Sequence, residues 1–377
     1  MNIRLDDLEV KNGMHKTLKT ILFLSLVMII CIYSEGNSLA SELYSCCDYQ
    51  KQIIKIGEKQ TIVHIAKVPL NSKVSFQLVY NKADMDGFAT LKDIIQNKNI
   101  FFAINGDFFI STNKMMPIGP MVEDGKLLVS PNGWESYKVL GREKNGHYRI
   151  QSWNYNGEII TASKTVIKVD YYNKRYGNDG ISVLGPRWGH NLPLQNESNR
   201  VLEFLVRNNV ILKKANVVID VTIPDGSYII SARGKSCDVL QKELKVGDKV
   251  SFQQKTTPDY RAFSMAIGVG NQIISKGTIV NCEPKLMGRH PLVAVAFTKD
   301  QKDVLFVVAE GRKYDSLGFT EAEMANVIKG LGGYDAVLLD GGVSSQMILR
   351  DKNDCLQIVN DAKPRMVPNG IALLKNN

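Results

Sequence analysis

The chain has 377 residues, 44% of them apolar and 23% charged, with a formal net charge of +9. This composition suits a soluble globular protein whose core needs neither a disulfide framework nor a structural metal. Its basic residues are scattered, with no run of five. That argues against a nucleic-acid binder and for a general affinity for anions such as phosphorylated glycans or cell-wall polymers, the plain alternative being a lysine-rich solvated surface.

Lys16 and Lys19 precede an apolar run over 21–33, and Ser38-Leu39-Ala40 closes the polar stretch that follows. A charged start, a short apolar segment and a small-residue cleavage site predict a signal peptide over 1–40, with Met14 as an alternative start. The run is short for a membrane span, so an uncleaved anchor is the second reading. Export places the protein outside the cell or at its surface. Residues 1–40 hold four basic and four acidic side chains, so their removal leaves the net charge unchanged. Cys31 lies in the apolar run. Cys46, Cys47, Cys237, Cys282 and Cys355 remain, an odd number without CxxC spacing, which gives no zinc or redox motif.

Residues 41–59 are expected to be an N-terminal extension and 60–377 a single domain. Alternation predicts strands over 61–68 and 74–80, and 91–96 suggests a short helix. The apolar run 100–104 ends at Asn105-Gly106, a strand stopping at a turn. Asp124-Gly125 before 126–129 signals a hairpin. From about 148 to 254, short β-like runs, among them 201–206, 217–221 and 249–253, alternate with Gly, Pro and Asn turns.

The region after residue 300 is the most explicit. A β-rich run over 304–308 ends at Ala309-Glu310-Gly311-Arg312. Thr320 and Glu323 form a capping box ahead of a helical stripe of Met324, Val327, Ile328 and Leu331, and Gly332-Gly333 stops it. The next strand, 336–339, runs into Asp340-Gly341-Gly342. Strand, helix, strand predicts a crossover between parallel strands, which brings Glu310, Arg312 and Asp340 to one sheet edge. The fold class expected is α+β: one large domain, a mixed sheet of many short strands, and a helix at about 320–331 packed on it.

Several chemistries find no motif: HExxH, paired metal-binding histidines, a GxSxG elbow, a P-loop and a GxGxxG helix start are all missing. Asp107 stands between a glycine turn and Phe108-Phe109, a setting that raises a carboxyl pKa for acid–base work. In Asp340-Gly341-Gly342-Val343-Ser344-Ser345, two glycines let backbone N–H groups approach an anion and two hydroxyls follow. Read blandly, both segments are structural turns, and Arg289 is a surface residue.

In order, AINGDFF at 103–109, PIGPMVEDGKLL at 117–128, AIGVG at 266–270, RHPLVAVAFTKD at 289–300, the stretch from VVAEGR to LDGGVSSQM at 307–347 and PRMVPNGIALL at 364–374 resemble the phosphodiester glycosidase family. The resemblance spans roughly residues 60–376 and favours one domain over two. The chain departs from the family pattern at Leu292 and Val293, where Arg and Thr are usual, at Glu310 in place of Asp, and at Val343 in place of a third glycine.

The resemblance implies cleavage of the bond between an anomeric carbon and a phosphodiester oxygen. Arg289 and Arg312 would hold the phosphate with planar forks, aided by Asn105, Gly341, Gly342, Ser344 and Ser345. Asp340 is expected as nucleophile or base, with Glu310 as its partner and Asp107 as a third acid. No cofactor is required, although the acids offer oxygen ligands of the kind Ca²⁺ takes. The implied substrate is a sugar-1-phosphodiester in a phosphorylated glycan or cell-wall polymer, with no protein partner indicated. The alternative is an exported glycan-binding or cell-envelope protein that keeps the fold without the chemistry.

Overall fold

A computed structural model describes residues 31–33, 47–70, 74–82, 89–96, 99–133, 136–175, 177–194, 200–281, 283–284, 287–351 and 353–375. The signal-peptide reading of 1–40 falls outside these residues except for the strand Cys31–Tyr33, and the candidate start near Ser41 lies outside them too.

Two sheets form the centre. The first has eight strands in the order Cys31–Tyr33, Asp48–Ile56, Lys59–Pro69, Asp303–Ala309, Leu292–Phe297, Asp335–Leu338, Gln272–Ser275 and Thr278–Ile279. The second has five, ordered Leu356–Ile358, Met347–Arg350, Ile100–Asn105, Asn369–Lys375 and Val74–Tyr80. Alternate residues of each strand face opposite sides. Val293, Val295, Phe306 and Val308 of the first sheet meet Phe76, Phe102, Ile104 and Ile371 of the second in one buried cluster. Phe306 lies at its middle, with ring centroids 4.5 Å from Phe102 and 5.6 Å from Phe76.

The outer faces are buried as well. Ala294, Ala296, Leu305 and Val307 pack on Met324, Val327 and Ile328 of the helix Glu321–Gly330. Val79, Ala103 and Ala372 pack on Leu91, Ile94 and Ile95 of the helix Leu91–Ile95. The layers therefore run helix, sheet, sheet, helix. Burial on both sheet faces explains why the central strands read as nearly continuous apolar runs. Both helices begin with complete capping boxes, Thr90 with Asp93 and Thr320 with Glu323.

The α+β class holds, but the sheets are not mixed as expected: every ladder in the two central sheets is antiparallel. A two-residue pair, Tyr171–Tyr172 with Gly180–Leu184, is parallel elsewhere. Asp303–Ala309 and Asp335–Leu338 do run in the same direction, as the strand–helix–strand pattern requires. They are not neighbours, because Leu292–Phe297 lies between them, antiparallel to both. The inserted strand has a useful consequence: its N-terminal end, at Pro291, joins Glu310 and Asp340 on one edge.

The middle of the chain forms further antiparallel sheets around a cluster that includes Phe204, Val206, Ile230 and Val250. A helix, Ser236–Glu243, buries Cys237 and Leu240 there. It is too short and too polar to stand out in the sequence. The expected strand over 217–221 is reduced to Val221–Thr222, with Val217 exposed. Just ahead of it, the Ile219 N–H is taken by the Glu203 carboxylate at 2.7 Å instead of by a ladder partner.

Truncation at the centre should be costly. Phe306→Ala is expected to lower stability by about 3–5 kcal/mol through loss of burial and the cavity left behind. Thr320→Ala should cost about 1 kcal/mol through loss of one cap. Chemical denaturation of both variants beside the unmutated protein measures the difference.

Candidate active site

Register brings the motifs together. Leu292 pairs with Ala309, so Pro291 and Glu310 lie side by side, and the Leu339 N–H donates to the Val293 carbonyl, which places Asp340 next to them. Asn105 ends a strand of the second sheet and reaches across. Its side chain donates to the Asp340 carbonyl at 2.7 Å and accepts from the Gln346 N–H at 2.9 Å. The Gly106 carbonyl accepts from the Asp340 N–H at 2.9 Å. The NGD and LDGG turns are therefore bonded to each other. Gly342 takes φ +61°, opening a short 3₁₀ turn over Gly342–Ser344, and its N–H donates to the Pro291 carbonyl.

The three acids occupy different environments. Asp107 is buried. Its Oδ1 accepts from the Tyr137 hydroxyl and its Oδ2 from the Gly119 N–H at 2.7 Å. Two segments cross against it at Gly119 and Gly268, where a Cβ on either glycine would strike the other backbone. Burial drives the Asp107 carboxyl upward, against the pull of Tyr137, Gly119 and the buried Lys174. Asp340 is half-buried, and burial pushes its carboxyl up to about 6, while Ser344, Arg365 and the Gly341 N–H act the other way.

Glu310 behaves oppositely. Burial opposes its charge, but bonds from His64 at 2.7 Å, from the Asp361 N–H at 3.0 Å and from Lys313 at 3.0 Å outweigh it and hold the carboxyl at about 2. An ionised carboxylate only accepts, so His64 Nε2 carries the proton, and its Nδ1 bonds the Tyr49 hydroxyl at 2.8 Å.

A cavity of about 380 Å³ opens beside these turns. Glu310, Arg312, Lys313, Gly342, Val343, Ser345, Asp361, Lys363 and Arg365 help line it, so cations outnumber acids on its wall. Arg312 is exposed, lies over Gly342 and bonds His290 at 3.0 Å. Arg365 bonds Ser344 at 3.2 Å. The Ser345 hydroxyl is buried beside the cavity wall and has no hydrogen-bond partner among the described residues.

Arg289 is placed differently from Arg312. Its guanidinium bonds the Gly318 carbonyl at 2.9 Å and the carboxylate of Glu323, the capping residue of the adjacent helix. It does not line the cavity. Asn105, Asp107, Asp340, Gly341 and Ser344 do not line the cavity; Asn105 clamps the Asp340 turn, Asp340 lies behind the wall formed by Gly342, Val343 and Arg365, and Gly341 leaves room for the Pro291 carbonyl. Among the described residues no group of three or more His, Cys, Asp or Glu side chains is arranged to hold a metal ion, and the oxygens of Asp107 are already engaged.

Sequence reasoning passed over Tyr137, Lys174, His64 and Asn369, which surround the acids. Nothing in the local patterns of Tyr137, Lys174 and His64 marks them, and Asn369 stands in the PRMVPNG segment without an assigned role. Arg365 had a signal, the PRMVPNG segment, but no role was assigned to it.

The acids should show opposite pH linkage. Glu310 titrates lower in the folded chain than unfolded, so its contribution is full above about pH 4.5 and is lost as pH falls toward 2. Asp340 titrates higher when folded, so its cost appears as pH rises from about 4 through 6. Glu310→Gln should therefore destabilise at pH 7 with the deficit shrinking in acid, while Asp340→Asn should be at least as stable as the unmutated protein at pH 7. Urea midpoints at pH 3, 5 and 7 provide the check.

No curated protein sequence matches the chain. In structure it is similar to a hypothetical protein from Synechocystis (TM-score 0.75, 21% identity, 88% of this chain covered), of which it spans 62% of the length. It is also similar to a Burkholderia pseudomallei protein described as exported (TM-score 0.71, 19% identity, 84% of this chain and 74% of that one). Such identities speak to the fold alone. The catalytic domain of zebrafish N-acetylglucosamine-1-phosphodiester alpha-N-acetylglucosaminidase, auto-inhibited by its pro-peptide, aligns at 14% identity over 92% of this chain and 88% of that one. Its TM-score of 0.46 is too low to carry an argument. The profile of the phosphodiester glycosidase family matches residues 200–374, a narrower span than the motif resemblance but one holding the AEGR, LDGG and PNG segments. Over that span the chain is similar to the phosphodiester glycosidase family.

Proposed function

We propose that the protein hydrolyses a sugar-1-phosphodiester, resembling an N-acetylglucosamine-1-phosphodiester, in a phosphorylated glycan or cell-wall polymer reached after export. The observation that carries this reading is the clamp between the NGD and LDGG turns. It sets a carboxyl raised to about 6, Asp340, close to Ser344 and to Arg365, and Arg365 lines a cation-rich cavity.

The division of labour follows from charge. Arg312 and Arg365 present planar forks, and Lys363 adds a point charge, so the anionic phosphodiester is bound by its phosphate. Asp340 acts at the anomeric carbon, either attacking it or taking a proton from water. The C1–O bond breaks with its electron pair going to the phosphate oxygen. Water supplies the new C1 hydroxyl, and the second product is a phosphate monoester. Phosphate is a weak base, so the departing oxygen needs little help from an acid. Glu310, held ionised, offsets positive charge developing on the sugar ring. Asp107 lies deeper, behind the Asp340 turn.

One observation favours the non-catalytic alternative. Leu292 and Val293, the positions that depart from the family pattern, are apolar and buried at the strand end beneath Gly341. If turnover depends on polar groups there, their absence leaves glycan binding without turnover.

Two substitutions separate these cases. Asp340→Asn keeps the volume and should lower kcat by at least ~10²-fold. Arg312→Lys keeps a charge but loses the fork, and should raise KM for a glycosyl phosphodiester more than for a neutral aryl glycoside. Near-full activity in Asp340→Asn would sink the catalytic assignment. Glycan binding by an unmutated protein that turns over neither substrate would establish the alternative.

A further inference from the structure

Lys174 is a buried lysine in an unusual position. Its ammonium donates to three backbone carbonyls, Ile118 at 2.6 Å, Ser130 at 2.7 Å and Gly119 at 3.2 Å. All three of its N–H bonds are thus used, and none reaches a carboxylate. Yet Asp107 lies close enough that each charge acts on the other.

The link between them is a single peptide group. The carbonyl of the Ile118–Gly119 peptide accepts from Lys174, and the N–H of the same peptide donates to Asp107 Oδ2 at 2.7 Å. A cation on the carbonyl polarises the amide and strengthens its N–H as a donor. The peptide is held in place because the Gly119–Gly268 crossing leaves no space for it to turn.

The lysine is itself anchored. Asn173, Lys174 and Arg175 are all buried. Asn173 donates to the Leu128 carbonyl at 2.8 Å and accepts from the Gly185 N–H at 2.7 Å. Arg175 pairs with the buried Glu203 at 2.6 Å. This polar plug ties the middle sheets to the back of the site.

We infer that Lys174 is a positioning residue of the active site, acting on Asp107 through the Ile118–Gly119 peptide and thereby fixing the turn that clamps Asp340. The inference rests on the proposed function only for its kinetic consequence; its structural part stands on this hydrogen-bonded chain. The titratable groups facing Asp107 are Tyr137, Lys174 and Asp340. Tyr137 and Lys174 favour the ionised carboxylate, and Asp340 opposes it. Removing Lys174 must therefore raise the Asp107 titration.

The test uses the full chain with ¹³C-labelled aspartate carboxyls, Asp107 being assigned by its loss in Asp107→Asn. Lys174→Met should lift the Asp107 midpoint by at least about one pH unit, the usual effect of a nearby opposite charge. On a glycosyl phosphodiester, kcat should fall at least ~10-fold and the pH profile of kcat/KM should shift, while KM changes less than about twofold because Lys174 does not line the cavity. An unchanged Asp107 midpoint in Lys174→Met overturns the inference. If that variant does not fold, the unmutated protein decides. Its Gly119 amide proton should titrate with the same midpoint as the Asp107 carboxyl, and a pH-independent Gly119 amide overturns the inference equally. If no phosphodiester is cleaved by the unmutated protein, the proposed function fails, while the carboxyl and amide titrations still judge Lys174.

Discussion

The arrangement depends on one small set of bonds, those by which Asn105 and Gly106 hold the backbone of Asp340. The Asn105 side chain fixes the carbonyl of Asp340 and the N–H of Gln346, and the Gly106 carbonyl fixes the Asp340 N–H. These bonds join the ends of two stacked sheets whose facing surfaces meet through apolar side chains. Buried backbone groups demand partners, and here each turn supplies the other's. Without this mutual satisfaction the two carboxyl-bearing turns would have no reason to share an edge.

The separation of the acids by environment follows from the same packing. Glu310 sits where a histidine, a lysine and a backbone N–H converge, and stays charged. Asp340 lies behind the cavity wall with fewer donors, and burial raises it to about 6. Asp107 is sealed behind both. Carboxyls pushed apart in this way take distinct chemical roles, which a run of equivalent surface acids does not.

Much of this was legible in the sequence. The capping box at Thr320, the stripe from Met324 to Leu331 and the glycine stop are local signals, and they gave the helix within a residue or two. The convergence of Glu310 and Asp340 was also readable, since strand, helix, strand fixes direction. The intervening strand Leu292–Phe297 was not, because antiparallel insertion leaves no local mark on its neighbours. Arg289 shows a different limit. Its motif suggested a phosphate ligand, but its partner, Glu323, lies 34 residues away and spends the charge on a helix end. Lys174 and Tyr137 were invisible for a similar reason: each is an ordinary residue in an ordinary loop until the fold closes over it.

The strand Asn369–Lys375 is inserted between Ile100–Asn105 and Val74–Tyr80 instead of being added at an edge. Asn369 also accepts the N–H of Asp107 across 262 residues of chain. Until that strand has been synthesised and has slid between its neighbours, the second sheet is split and the NGD turn has no floor. Pairings so distant in sequence form late, after the entropy of closing a long loop has been met. A nascent chain that lacks this strand therefore carries the carboxyls and the arginines without the floor of the NGD turn, and the site is completed only with the closing of the sheet.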